Sequence, residues 1–439
     1  MWWLVLLAVG VGADLPTLDN TKWGCDDGPE GEITPFKITF DDEMIADLRM
    51  RLSNHRRPVP TFEGVNHRYG FNSYDLERWI QYWREEYDFK KREEALNKYP
   101  QYKVRVQGLN IHFIKVEPVN KTKRKVTLLL LHGWPGSIRE FYDVIPGLVA
   151  DHDSRDFAIE VIIPSLPGFG FSDAACIPGL GGVEMAVVLR NAMKILGYEK
   201  YIVQGGDWGS YIGSAMTTMY PKEVIGFHTN LPTASTSKAF MLMAVGHYFP
   251  DLVVDSSLSN RIYPLLNKTL WLLQETAYFH FMATKPETIG IAMTDSPAGF
   301  MSFFLQCISG GTRKVNPREP EGGLLKYYTR EQLIDNLMMY WTDNKITTSS
   351  RLYYETIRSK NGSQVMSYPT DVPTWALQAP DEIIYMSPIM LATKYKNLRH
   401  ATVLENGGHF LALERPAEFG ADVLRAVTEF VRWDDLYGY

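Results

Sequence analysis

Tyr201-Ile202-Val203-Gln204-Gly205-Gly206-Asp207-Trp208-Gly209-Ser210 is the stretch on which the reading of this chain turns. It opens as the short apolar run of a buried strand and ends as a helical pattern, and the glycines between permit a tight, strained turn. Such a turn lifts the side chain at its tip clear of the backbone. Within Gly205-x-Asp207-x-Gly209 that tip is an aspartate, and Ser210 lies off it. A carboxylate needs no base to remove a proton before it attacks, and the ester it forms can be cleaved at its own carbonyl. The residue suits displacement at a saturated carbon better than acyl transfer. Taken alone, Asp207 could instead cap the helix that follows, because Asp is common near helix starts.

Outward from this turn, short apolar runs at 126–131, 159–163 and 224–227 alternate with helical patterns, clearest at 185–196 and 209–219. The alternation predicts a doubly wound, mostly parallel sheet, with right-handed crossovers placing those two helices on opposite faces. Chemistry then belongs to loops at the carboxyl ends of the strands. A hairpin is expected about Gly108, with Val104 and Val106 before it and Ile111, Phe113 and Ile114 after. Upstream, residues 73–97 read as one amphipathic helix carrying Leu76, Trp79, Ile80, Tyr82, Trp83 and Tyr87, preceded by a polar, Pro-rich stretch. From Leu231-Pro232 the strand signal gives way to helical, aromatic and Met-bearing sequence, including a capping box, Thr329-x-x-Gln332, ahead of 333–341. This reads as an inserted helical lid. Strands return at 372–377 and 401–404, and Pro416 opens a closing helix to 431. The expected organisation is 1–13 hydrophobic segment, 14–100 amino-terminal extension, 101–231 and 371–439 the two parts of the core, and 232–370 the lid.

Two further groups give Asp207 company. His409, in Asn406-Gly407-Gly408-His409-Phe410, follows the last expected strand, where a loop histidine could swing over the turn and act as base. Asp381 and Glu382 follow the strand at 372–377, and either could orient that histidine. The chain order nucleophile, acid, base is that of the α/β-hydrolase fold. In that template an oxyanion hole takes one amide from the residue after the nucleophile, here Trp208. The other comes from the loop after a central strand, here Trp134 in His132-Gly133-Trp134-Pro135-Gly136. The plain alternatives are a structural histidine and an ordinary Gly-Pro turn.

Composition narrows the function classes. The chain has 45% hydrophobic and 22% charged residues, ample for a large core. Its net charge of -6 is spread without long runs, which gives nucleic acid no electrostatic footprint. Aromatic residues, at 13%, suit an apolar binding cavity. Cys25, Cys176 and Cys307 are odd in number and far apart, fitting neither a disulfide framework nor a zinc site, so buried free thiols are expected. Residues 1–13 are apolar and uncharged but shorter than the roughly 20 residues that span a bilayer, and a basic n-region is missing. Asn120, Asn267 and Asn361 open Asn-x-Ser/Thr triplets, acceptors only in a lumenal chain.

The motifs together resemble the microsomal epoxide hydrolase family, and especially its insect branch. They are Tyr69-Gly70-Phe71-Asn72-Ser73, His132-Gly133-Trp134-Pro135-Gly136-Ser137, Pro167-Gly168-Phe169-Gly170-Phe171-Ser172, Gln204-Gly205-Gly206-Asp207-Trp208-Gly209, Thr284-Lys285-Pro286-Glu287-Thr288 and Gly407-Gly408-His409-Phe410. The resemblance covers nearly everything after the first residues. It implies Asp207 as nucleophile, His409 as base and Glu382 as its partner, with Asp381 the rival. It also implies two lid tyrosines, Tyr278 and Tyr353, that donate to the epoxide oxygen, with Tyr354 the near-miss; without it these are core aromatics. Phenols, with ordinary pKa about 10, can donate without ionising at rest. The implied activity is hydrolysis of lipophilic epoxides to vicinal diols through an aspartyl ester, without metal or organic cofactor. Juvenile hormone is the implied substrate of the insect branch, and membrane attachment at the endoplasmic reticulum the implied location, with a lumenal or secreted chain as the alternative. The rivals are broad xenobiotic epoxide hydrolysis, haloalkane dehalogenation, and an inactive ligand-binding relative. The family's anchor is longer than residues 1–13, and Lys22-Trp23-Gly24-Cys25 stands where a second Trp is usual.

Overall fold

Alternating apolar runs produce a nine-stranded sheet in a computed structural model that describes residues 15–18 and 20–438. The apolar segment 1–13 lies outside the described residues. The strands are β1 (Ile33–Phe36), β2 (Gln101–Val106), β3 (Leu109–Val116), β4 (Arg124–Leu131), β5 (Phe157–Pro164), β6 (Tyr201–Gly205), β7 (Val224–Thr229), β8 (Thr374–Gln378) and β9 (Leu398–Val403). Their order is β1-β2-β3-β5-β4-β6-β7-β8-β9. Pairing is antiparallel from β1 to β5 and parallel from β5 to β9. β5, wholly buried, and β4, buried over its last six positions, account for their near-continuous hydrophobic sequence. The hairpin turn is Gln107-Gly108, both at positive φ, as a tight two-residue connection requires.

Three expectations need correction. The helices Gly182–Ile195 and Asp207–Met219 pack against each other and so share one face of the sheet. From β5 to β6 and from β6 to β7 the chain advances in the same direction across the sheet, and equal-handed crossovers then fall on the same side. The connection from β4 to β5 runs the other way. Loops after the adjacent strands β4 and β6 therefore diverge, which opens a crevice at their carboxyl ends.

The expected single helix at 73–97 is instead the helix Ser73–Gln81, a π turn over Tyr82–Glu86 and a separate helix Phe89–Leu96 capped by Asp88. The π turn, closed by the Tyr87 amide on the Tyr82 carbonyl, precedes a tyrosine whose hydroxyl donates to buried Asp335 at 2.9 Å. The polar stretch before it also holds β1 and the helix Asp42–Ser53, which has only Leu48 and Leu52 fully buried. So thin an apolar stripe is hard to see by period alone.

Finally, Cys25 and Cys176 form a disulfide, with Cα atoms 5.9 Å apart, and only Cys307 is a buried free thiol. Their 151-residue separation conceals their proximity. The Trp23 amide donates to the Gln107 carbonyl in the hairpin turn, and the Cys176 amide donates to the Trp23 carbonyl. Both cysteines are thereby laid side by side.

Between β7 and β8 the chain is helical, as expected of a lid, and the Thr329/Gln332 capping box forms at the start of the helix Arg330–Trp341. That helix is the clamp of the molecule. Its Asp335, with no solvent exposure, takes Arg92 of the amino-terminal extension at 2.5 Å and Arg139 of the loop after β4 at 3.1 Å. Asn336 donates to the Pro135 carbonyl and accepts from Ser137, both at 2.7 Å, and the Tyr340 hydroxyl donates to the Gly136 carbonyl. Replacing Asp335 with Ala strands two guanidinium groups, so denaturant unfolding should register a loss of about 3–5 kcal/mol. A midpoint equal to that of the unaltered protein would remove the clamp from this account.

Candidate active site

At the end of β6 the backbone turns sharply into the helix Asp207–Met219. Gly206 is extended there, and the residue in the left-handed region is Asp207 itself, at φ 47°. The strain thus sits on the aspartate, at a cost of about 1–3 kcal/mol. The glycines serve close approach instead: a Cβ on Gly209 would stand 2.1 Å from the Leu131 carbonyl oxygen, and one on Gly133 2.2 Å from Asp207 Oδ1.

Two groups from distant parts of the chain hold the half-buried carboxylate. The Trp134 amide donates to Oδ1 at 2.8 Å, and Oδ2 faces His409 Nε2 at 3.2 Å. Of the two amides expected at an oxyanion hole, Trp134 is thus engaged. The Trp208 amide lies in the first turn of the helix, where N–H groups lack intrahelical partners.

His409 is fixed through its backbone and its other ring nitrogen. Its amide donates to the Gly311 carbonyl at the end of the lid helix Pro297–Thr312, and Nδ1 lies 2.7 Å from Glu382 Oε1. Glu382 is buried, and its Oε1 also accepts from the Ile383 amide at 2.6 Å. Asp381, the rival, turns away toward Arg313, 3.6 Å distant. Burial disfavours a charged His409 ring, but the carboxylates of Glu382 and Asp207 outweigh it and hold its pKa well above the ordinary imidazole value. At neutral pH the ring is an imidazolium between two carboxylates.

The lid brings both expected tyrosines to this place. Tyr278, in the helix Ala277–Thr284, stacks on the Trp134 ring with centroids 5.2 Å apart. Tyr353, in the helix Ile346–Arg358, sets its ring edge-on to Trp208 at 4.8 Å and to Trp134 at 5.9 Å. The two tyrosine rings meet edge to face at 6.4 Å. Tyr354 lies instead beneath the Arg358 guanidinium, 3.7 Å from its ring centre. Burial pushes both phenols well above their ordinary pKa, for Tyr278 with Cys307 and Asp207 adding to it and for Tyr353 with Asp207 adding. They are neutral hydrogen-bond donors beside an anionic carboxylate. The arrangement can hold an electrophile between a carboxylate and two O–H groups, and can take a proton from water at His409 once its charge partner is consumed.

One residue escaped the sequence reading. Glu140, in the turn Ile138–Phe141, lines a small cavity with Gly133, Trp134, Asp207, Asn230 and His409. Its only signal in sequence is an acid within the otherwise structural run after His132-Gly133-Trp134, and nothing in that spacing says which way its side chain turns.

Residues 33–141 match the family model described as epoxide hydrolase N terminus, and residues 126–252 match the alpha/beta hydrolase fold. The chain is 48% identical to juvenile hormone epoxide hydrolase of Bombyx mori, over 97% of this chain and 94% of that protein. It is 41% identical to juvenile hormone epoxide hydrolase 2 of Ctenocephalides felis, over 94% of this chain and 89% of that one. The crystal structure of the silkworm enzyme superposes with a TM-score of 0.92, covering 95% of this chain and all (100%) of that chain. With the likeness extending over the extension, the core and the lid together, the chain belongs to the epoxide hydrolase family.

Proposed function

We propose that this epoxide hydrolase acts on juvenile hormone, a lipophilic terpenoid epoxide, and that it works through a covalent ester on Asp207. The observation that carries the mechanism is the Asp207 carboxylate itself, with Oδ1 on the Trp134 amide and Oδ2 on His409, and with the Tyr278 and Tyr353 phenols within its electrostatic reach. The substrate rests on likeness to the insect enzymes named for it.

The reaction begins with His409 as imidazolium and Asp207 ionised. Asp207 attacks an epoxide ring carbon while Tyr278 and Tyr353 donate to the ring oxygen, so that the breaking C–O bond yields a hydroxyl rather than a free alkoxide. The proton that ends on this hydroxyl is drawn from the imidazolium through the phenols. Esterification also removes one of the two negative charges that keep His409 protonated, so the ring becomes a neutral base when one is required. It then deprotonates a water that attacks the ester carbonyl, and the Trp134 and Trp208 amides stabilise the tetrahedral oxyanion. Collapse expels the second diol oxygen, which takes the carboxyl proton, and Asp207 and imidazolium are restored. A haloalkane dehalogenase would have no alkoxide to protonate, and paired phenols argue against that rival.

His409→Gln should accumulate an adduct on the Asp207 peptide, read by mass spectrometry, and Asp207→Ala should lose diol formation by at least about 10⁴-fold. An Asp207→Ala protein that still forms diol would overturn the nucleophile, and an absent adduct would favour a ligand-binding relative. Juvenile hormone should be turned over with a higher kcat/KM than styrene oxide; the reverse preference would refute the hormone assignment.

The disulfide bears on the proposed location. A Cys25–Cys176 bridge persists in an oxidising compartment. This supports a catalytic portion on the lumenal side of the endoplasmic reticulum, or secreted, over a cytosolic one. Among the described residues no helix is long and apolar enough to cross a membrane. In isolated microsomes Cys25 and Cys176 should resist maleimide labelling until a reductant is added to the unfolded protein. Labelling of both thiols without reductant would overturn this assignment.

A further inference from the structure

The cavity beside Asp207 has a volume of about 10 Å³, room for about one water, and is bounded by Asp207, His409, Glu140 and Asn230 among other residues. A site of that size with several convergent polar groups is where an ordered water belongs. Asn230 has its carbonyl oxygen occupied by Gln204 Nε2 at 3.0 Å, and Asp207 and His409 face each other across 3.2 Å. Glu140 is the remaining carboxyl, and the backbone is shaped to admit it. A Cβ on Gly136 would fall 1.4 Å from Glu140 Oε1, so this carboxyl lies against the backbone only because residue 136 is glycine. The Glu140 amide donates to the Ser137 carbonyl at 3.1 Å, which closes the turn that carries this side chain.

Resting on the covalent reading above, we infer that Glu140 is a water-positioning residue of the second half-reaction. Its carboxyl accepts one O–H of the hydrolytic water, leaving the other O–H for His409 Nε2 and a lone pair for the Asp207 ester carbon. The step balances without another reactant. One O–H bond of the water breaks, its proton passes to His409, its oxygen bonds to the carbonyl carbon, and the ester C–O bond then breaks to release the diol oxygen. Glu140 loses and gains nothing overall.

The charge state of Glu140 agrees with the task. Burial pushes its carboxyl up to about 8, with the Asp207 charge adding and the His409 charge and Ser137 amide opposing. At neutral pH it is therefore an uncharged acceptor that does not repel Asp207 during the first step. The phenols of Tyr328 and Tyr340 also lie within electrostatic reach of it. In the intermediate the Asp207 charge that raises the Glu140 pKa and the His409 charge that lowers it are both gone, so burial still keeps this carboxyl uncharged at neutral pH, and it ionises to become a stronger acceptor only as the pH rises into the alkaline range.

Single-turnover kinetics with juvenile hormone and with styrene oxide separate ester formation from ester hydrolysis. Glu140→Leu should form the ester within about 3-fold of the normal rate and hydrolyse it about 100-fold more slowly, so that the adduct on Asp207 accumulates. Glu140→Gln, which keeps an acceptor oxygen, should recover hydrolysis to within about 10-fold, but lose the rise in hydrolysis rate that the unaltered enzyme shows as Glu140 ionises. Equal slowing of both steps in the two variants, or undiminished hydrolysis in Glu140→Leu, would overturn the assignment while leaving the ester mechanism intact. Failure of His409→Gln to trap any ester would bring down the covalent mechanism and this assignment with it.

Discussion

The carboxylate of Asp207 is held from two sides by groups that lie far from it in sequence, one before it and one after, the Trp134 amide and the His409 ring. The backbone beneath it is strained, at φ 47°, a region that non-glycine residues rarely adopt. Such a conformation persists only where the surroundings over-determine it. The diverging loops after β4 and β6 do so: Gly133 and Gly209 let the strands and the helix close to distances that any side chain would prevent. Strain, crevice and carboxylate orientation are one feature of the sheet's topology.

That feature needs support on its open side, and the lid provides it. The helix Arg330–Trp341 grips the loop after β4 through Asn336 and Tyr340, and its Asp335 gathers Arg92 and Arg139. The amino-terminal extension is thus tied to the same helix that steadies the Trp134 amide. The lid also holds the His409 backbone, through Gly311, and presents Tyr278 and Tyr353 over Trp134 and Trp208. Core and lid are therefore coupled at three places around one carboxylate. Displacement of the lid would disturb the proposed base, the oxyanion donor and the phenols together.

The electrostatics give the proposed reaction its order. Two carboxylates hold the His409 pKa well above its ordinary value, and in the proposed mechanism consuming one of them as an ester would release a base only after the first step. A histidine with a single carboxylate partner would lack that timing. Neutral phenols beside Asp207 follow from the same logic, since burial holds their protons in place until an alkoxide develops.

The strand-turn-helix at Asp207, the alternation of strands with helices, the inserted helical stretch and the position of His409 after the last strand were all legible in the sequence, because each is a local pattern with a fixed period or punctuation. The two tyrosines were legible only through family resemblance, as nothing local separates a phenol donor from a core ring. The local pattern left Glu382 and Asp381 open and the family resemblance pointed to Glu382; the physical difference between these adjacent carboxyls is one of direction, which only the tertiary structure displays, one toward His409 and the other toward Arg313. Tertiary structure alone joined Cys25 to Cys176, placed two helices on one face of the sheet, and turned Glu140 into a cavity beside the Asp207 carboxylate. Each of those outcomes depends on distances through space between residues far apart in the chain, or on the rotation of a side chain about its own backbone, and neither quantity is written in the order of the amino acids.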